Sequence, residues 1–257
     1  MIEHAIYISS INDLKLLTHK YKRIYFGAEF CSNLLPSIKD IKDVLNICND
    51  KKLVFTLVLP WCHENNIDPV KRILKFLPPK TEVVYNDWGI WKIMEEDFKH
   101  KAFKYVLGRI LSDTKNDPRA LQLSDKKSID FSKQCALNND YFQKSIIEKG
   151  INQAELSNTF QGYNFSLQNN ISTTIYYPYV FSSVTTFCLF KKDITIEYCG
   201  QTCINKYILC KLPKKELKTP MFIRGNYEFY KNSNLPSATN LSKWNTNRIV
   251  FMPKLTY

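Results

Sequence analysis

The feature that most constrains this chain is an alternation in its first half. Short runs rich in β-branched and aromatic residues trade places with segments of helical period. Residues 4–9 suit a strand, 11–20 a helix, 23–30 a strand, and 37–48 a helix whose Ile38, Ile41, Val44, Leu45 and Cys48 share one face. The pattern continues with a strand at 52–59, a helix at 69–77 opened by Pro69, a strand at 82–85, a helix at 88–98 and a strand at 104–111. Such repetition is the signature of βα units around a parallel sheet, and it fits either a barrel or an open doubly wound sheet. The chain has only seven glycines, and none forms GxGxxG or a P-loop, so no phosphate-binding fingerprint favours the open sheet.

Beyond residue 112 the pattern weakens. A polar stretch runs to residue 130, a helix follows at 138–149 and a short strand at 154–157. Strands are expected at 171–179 and 184–190, flanking Ser182 and Ser183, and the remainder is rich in β-character and loops around Pro213, Pro220, Pro236 and Pro253. The aromatic run from Tyr176 to Phe181 reads as core filling of these strands. With 257 residues, 44% of them hydrophobic, one core suffices. The expectation is one domain over 1–257, with regular βα units over 1–111 and a β- and loop-rich, cysteine-bearing part over 171–257.

The apolar runs are far too short to cross a bilayer, and the first ten residues lack a cationic segment followed by an apolar one. A cytoplasmic location without a membrane span is therefore expected. The net charge of +12 permits RNA, an anionic substrate or an acidic partner, but its 36 basic residues are scattered along the chain. The lysine-rich stretch 211–218 reads as a solvated loop.

Eight cysteines in a chain without an export signal point to metal or catalysis rather than to disulfides. The densest span is Cys188-x10-Cys199-x3-Cys203-x6-Cys210. Both a tetrahedral zinc and an iron–sulfur cubane want about four converging sulfur donors, and this spacing matches neither a zinc ribbon nor a ferredoxin run. Zinc and iron–sulfur therefore both stay open at this point. Cys48 lies on an apolar helix face and Cys135 is isolated, which suits core positions, while Cys62 and His63 make at most half of a metal site. His4, His19, His63 and His100 show no HExxH spacing, and no GxSxG elbow marks a serine nucleophile, so hydrolytic machinery has no sequence support.

Three segments carry a family resemblance. They are Ile24-Tyr25-Phe26-Gly27-Ala28-Glu29-Phe30-Cys31-Ser32, the turn Asn86-Asp87-Trp88-Gly89, and the run from Ser182 through Cys188 to Cys199-Gly200-Gln201-Thr202-Cys203. Together they resemble the collagenase-like peptidase (U32-type) superfamily, in particular its non-proteolytic branch serving quinone synthesis. The resemblance implies an incomplete or modified β/α (TIM-like) barrel with a 4Fe-4S cluster at its C-terminal mouth, held by Cys31, Cys188, Cys199 and Cys203, with Cys210 in reserve. It further implies a component of an oxygen-independent hydroxylation of an organic substrate, working as a heterodimer with a homologous U32-type partner. RNA base modification and a zinc-stabilised binding protein are the rival functions. Glu29, beside Cys31, and Asp87, after a strand, are candidate acid, base or hydrogen-bonding groups, although Asp87 before Trp88 equally suits a helix cap.

Overall fold

The computed structural model describes residues 2–112, 114–168, 171–191, 199–213 and 215–255. The chain runs β1 (Glu3–Ile8), β2 (Arg23–Gly27), α1 (Ile38–Asp50), β3 (Val54–Leu59), α2 (Ile67–Phe76), β4 (Glu82–Tyr85), α3 (Trp88–Asp97) and β5 (Lys104–Leu107). It continues with α4 (Lys126–Ser132), α5 (Asp140–Glu148), β6 (Gln153–Ser157), β7 (Ser172–Tyr177), β8 (Tyr179–Val184) and β9 (Ile208–Cys210). The last elements are β10 (Met221–Arg224), β11 (Tyr227–Lys231), α6 (Ala238–Lys243) and β12 (Thr246–Phe251). β1 to β7 pair in sequence order, all parallel, and β12 pairs with both β7 and β1, so eight strands close into a barrel. The open doubly wound sheet is thereby excluded. β8 to β11 form a separate antiparallel sheet in the order β8-β11-β10-β9, inserted between the seventh and eighth barrel strands.

Alternation along each strand sorts the side chains. Ile6, Ile24, Phe26, Leu57, Val83 and Tyr85 face outward, against Ile41, Val44, Val70, Ile73, Ile90 and Met94 of the helices. Ala5, Tyr7, Tyr25, Val58, Val84, Val106, Tyr176 and Val250 fill the lumen. Two charged groups are stacked among them. Near the strand starts, Glu82 accepts from Arg23 at 3.0 Å, Thr56 at 2.8 Å and Arg248 at 2.8 Å. Toward the strand ends, Arg109 holds Glu29 and lies 4.2 Å from the centre of the Tyr176 ring. The Tyr176 hydroxyl donates to Glu155 at 2.6 Å. Burial, reinforced by the Glu29 charge, pushes the Glu155 carboxyl up to about 8.

The inserted sheet seals the barrel at the C-terminal ends of its strands. Phe30 lies 4.6 Å from Phe181, 5.2 Å from Tyr227 and 5.3 Å from Phe229, ring centre to ring centre, and all four are buried. Gly27 ends β2 ahead of Phe30. Its φ of +142° turns the chain out of β2, and a Cβ there would sit 2.1 Å from the Val58 carbonyl oxygen.

Several expectations need correction. The helix expected over 11–20 is a single 3-10 stretch, Ile11–Leu16, because Leu17 has extended backbone (φ −70°, ψ 124°). The strand expected over 184–190 is absent. β8 ends at Val184, and Ser182 and Ser183 lie inside it rather than between strands. The polar stretch expected to be irregular includes most of α4, whose N-cap Asp125 accepts from the Ser128 amide. In the lysine-rich stretch, Lys211, Lys215 and Lys218 are exposed while Leu217 is buried; Lys214 lies outside the described residues.

Candidate metal centre

Cys31 follows β2, just past the Gly27 turn, and caps the 3-10 turn Ser32–Leu34. Cys188 lies beyond β8, where the Leu189 amide donates to the Gly225 carbonyl at 3.1 Å and so ties the turn to the β10–β11 hairpin. Cys203 is held from two sides. Arg224 donates Nε to its carbonyl at 3.1 Å, and Gly225 passes so close that a Cβ there would meet the Cys203 Sγ at 3.7 Å. Gln201, between Cys199 and Cys203, donates Nε2 to the Asn33 carbonyl at 2.7 Å, linking that turn to the loop of Cys31.

These turns bring Cys31, Cys188, Cys199 and Cys203 to the wall of one cavity of about 530 Å³, although Cys31 precedes the others by more than 150 residues. Cys210 does not line it. That residue sits on β9, opposite Met221. Burial above all, with Cys199, Cys203 and Cys188 adding to it and a hydrogen bond from the Asn33 backbone opposing it, pushes the Cys31 thiol up to about 11. Burial also raises Cys203, with Cys188 and Cys199 adding to the effect and Arg224 opposing it. The thiols therefore sense one another, and taking up a cationic centre requires them to release protons. In the metal-free protein, alkylation of Cys31 should keep accelerating from pH 8 toward about 11. Mass-spectrometric rates that level off near the free-thiol value of about 8.5 would contradict that environment.

Four sulfur donors on one cavity wall suit the chemistry of either zinc or an iron–sulfur cluster, both of which take thiolate ligands. Tetrahedral zinc with sulfur at about 2.3 Å needs thiolates about 3.8 Å apart. Among the described residues no three His, Cys, Asp or Glu side chains form a group that could hold one metal ion as they stand.

The wall also carries polar His63, Glu64, Asn65, Asn66, Thr186, Lys191 and Asn226, beside apolar Leu34 and Phe187. Asn66 donates to the Ser32 hydroxyl at 2.8 Å. Asn226 donates Nδ2 to the carbonyls of Phe30 (3.2 Å) and Thr185 (2.8 Å), and its Oδ1 is buried without a hydrogen-bond partner among the described residues. Sequence reasoning missed Asn226 and Arg224. The Gly225-Asn226 pair signals a hairpin turn, but nothing local says that the turn abuts a thiol.

Glu29 and Asp87 stand elsewhere. Glu29 is 2% exposed and engaged by Arg109 at 2.8 Å behind the aromatic seal. Asp87 caps α3, accepting from the amides of Gly89 and Ile90, and its second oxygen accepts from the Cys62 amide at 3.2 Å. Cys62 is pushed up to about 12 by burial, then by Asp87 and Cys31, and it does not line the cavity. Cys48 and Cys135 are buried in the core.

The fold is a closed parallel β/α barrel whose mouth is covered by an antiparallel sheet that carries a thiol-lined cavity on its flank. No protein-family model and no curated protein matches the chain. Among solved structures, that of the U32 peptidase Mk0906 is similar with a TM-score of 0.49 at 8% sequence identity, over 99% of this chain and 94% of that one. Among the described residues no helix is long and apolar enough to cross a membrane.

Proposed function

We propose that this chain is a non-proteolytic member of the U32-type superfamily, of the branch typified by the ubiquinone-biosynthesis protein UbiV. In this reading it holds a 4Fe-4S cluster and serves as a component of an oxygen-independent hydroxylation or related modification of an organic substrate, with a homologous protein as partner. The observation that carries the reading is the meeting of Cys31 with Cys188, Cys199 and Cys203 on one cavity wall, since local spacing would never group Cys31 with the others. Those four thiolates would hold the cluster, which supplies one-electron transfer when bound.

The chain's other residues define where a substrate can lie. Phe30, Phe181, Tyr227 and Phe229 shut the lumen, so an organic molecule is held beside the barrel rather than within it. His63 and Lys191 offer donors to orient it, and Phe187 gives the rim an apolar edge. Protein prepared or reconstituted anaerobically with iron and sulfide should be brown and carry about four of each per chain, with visible absorption that bleaches on reduction. Colourless protein that retains stoichiometric zinc through the same procedure would defeat the proposal.

A further inference from the structure

At the opposite end of the barrel, where the strands begin, lysines gather on the rim. Lys22 and Lys52 lead into β2 and β3, Lys80 leads into β4, Lys104 opens β5, and Lys99 lies on the turn between α3 and β5. All five are exposed. Backbone bonds tie the adjoining strand starts together. The Val54 amide donates to the Lys22 carbonyl at 3.0 Å, the Lys80 amide to the Lys101 carbonyl at 2.7 Å, and the Lys104 amide to the Thr81 carbonyl at 3.0 Å.

Ordinary structural duties explain other lysines at this end but not these. Lys51 and Lys149 cap α1 and α5, and Lys101 donates to the last carbonyls of α2. Several carboxylates at this end are already engaged: Glu3 and Glu82 by Arg23 and Arg248, and Asp97 by Lys71 at 2.7 Å. Two of the lysines are also conformationally awkward. Lys52 has φ +53° and Lys80 φ +63°, where glycine or asparagine would sit without strain, so the turns alone do not call for lysine.

We infer that this rim binds the phosphate backbone of nucleic acid without reading its sequence. Lysine acts on phosphate as a point charge, which positions a strand and carries no base information. A protein partner is disfavoured because lysine is depleted from protein interfaces, and a membrane because interfacial anchors pair cations with an inserted apolar face. The rim lies at the other end of the barrel from the thiol cavity, so the inference is independent of any metal.

The test is anisotropy of a short fluorescein-labelled oligouridine titrated with the full chain at several salt concentrations. Counterion release predicts that each phosphate-binding lysine removed lowers the log–log salt slope by about 0.7 and the affinity about fivefold at about 0.1 M salt. The double variant Lys52→Gly, Lys80→Gly should therefore bind about 25-fold more weakly while melting no lower than the parent. Lys22→Gln with Lys104→Gln reads the same rim without touching the positive-φ turns and should weaken binding equally. Lys211→Gln with Lys215→Gln should leave it unchanged. Binding that is indifferent to both rim pairs, binding abolished only with Lys211 and Lys215, or tighter binding to phosphatidylserine vesicles than to the oligomer would each overturn the inference.

Discussion

Cys31→Ser is expected to abolish most of the iron and sulfide of anaerobically prepared protein, whereas Cys210→Ser retains both. The two thiols differ in place rather than in kind. Cys31 is presented to the cavity by the tight exit from β2, while Cys210 hangs on β9 away from it. Ligation by the local span alone, Cys188 to Cys210, would give the reverse, with Cys31→Ser costing no more than a modest loss of stability. Metal analysis alongside circular dichroism separates ligand loss from misfolding. Full cluster content in Cys31→Ser, with loss in Cys210→Ser, would reject the assignment.

Arg109→Met should destabilise the fold severely. Its guanidinium and the Glu29 carboxylate are essentially excluded from solvent, with side-chain exposures of 1% and 0%. Removing the cation strands a carboxylate behind the aromatic seal, at a cost of about 3–5 kcal/mol, or a fall in melting temperature of about 10 °C for a chain of this size. Adding Glu29→Gln to Arg109→Met should recover a large part of the loss, because the stranded charge is then gone. Thermal melts in which Arg109→Met alone matches the parent would show that the pair contributes little.

The first five strands were readable because short apolar runs recur at regular intervals along this half, and a parallel sheet buries both faces of its strands. Closure was not readable from periodicity, since it depends on residues 246–251 returning to residues 3–6. The strand expected over 184–190 failed for a physical reason: its Phe187 and Leu189 are 50% and 54% exposed, so their apolar character does not report a sheet interior. The family resemblance supplied the cysteine grouping, and spacing could not have done so. The barrel's charged interior left no local trace either. Arg109 and Glu29 are 80 positions apart, and in sequence each looks like a polar residue ending a strand.

β12 lies beyond the inserted sheet, and this order bears on how the molecule comes into being. On a ribosome, seven barrel strands and the stretch bearing all four cavity cysteines are made before the staple that joins β7 to β1 exists. Until then both flanks of the nascent sheet are bare, with unpaired amides and carbonyls open to other chains. The pairing that closes the circle spans nearly the whole sequence, a loop that entropy makes slow to form. Whatever protects those flanks in the interval, a chaperone or early packing of the inserted sheet over the mouth, guards against aggregation at the one moment when the barrel has edges.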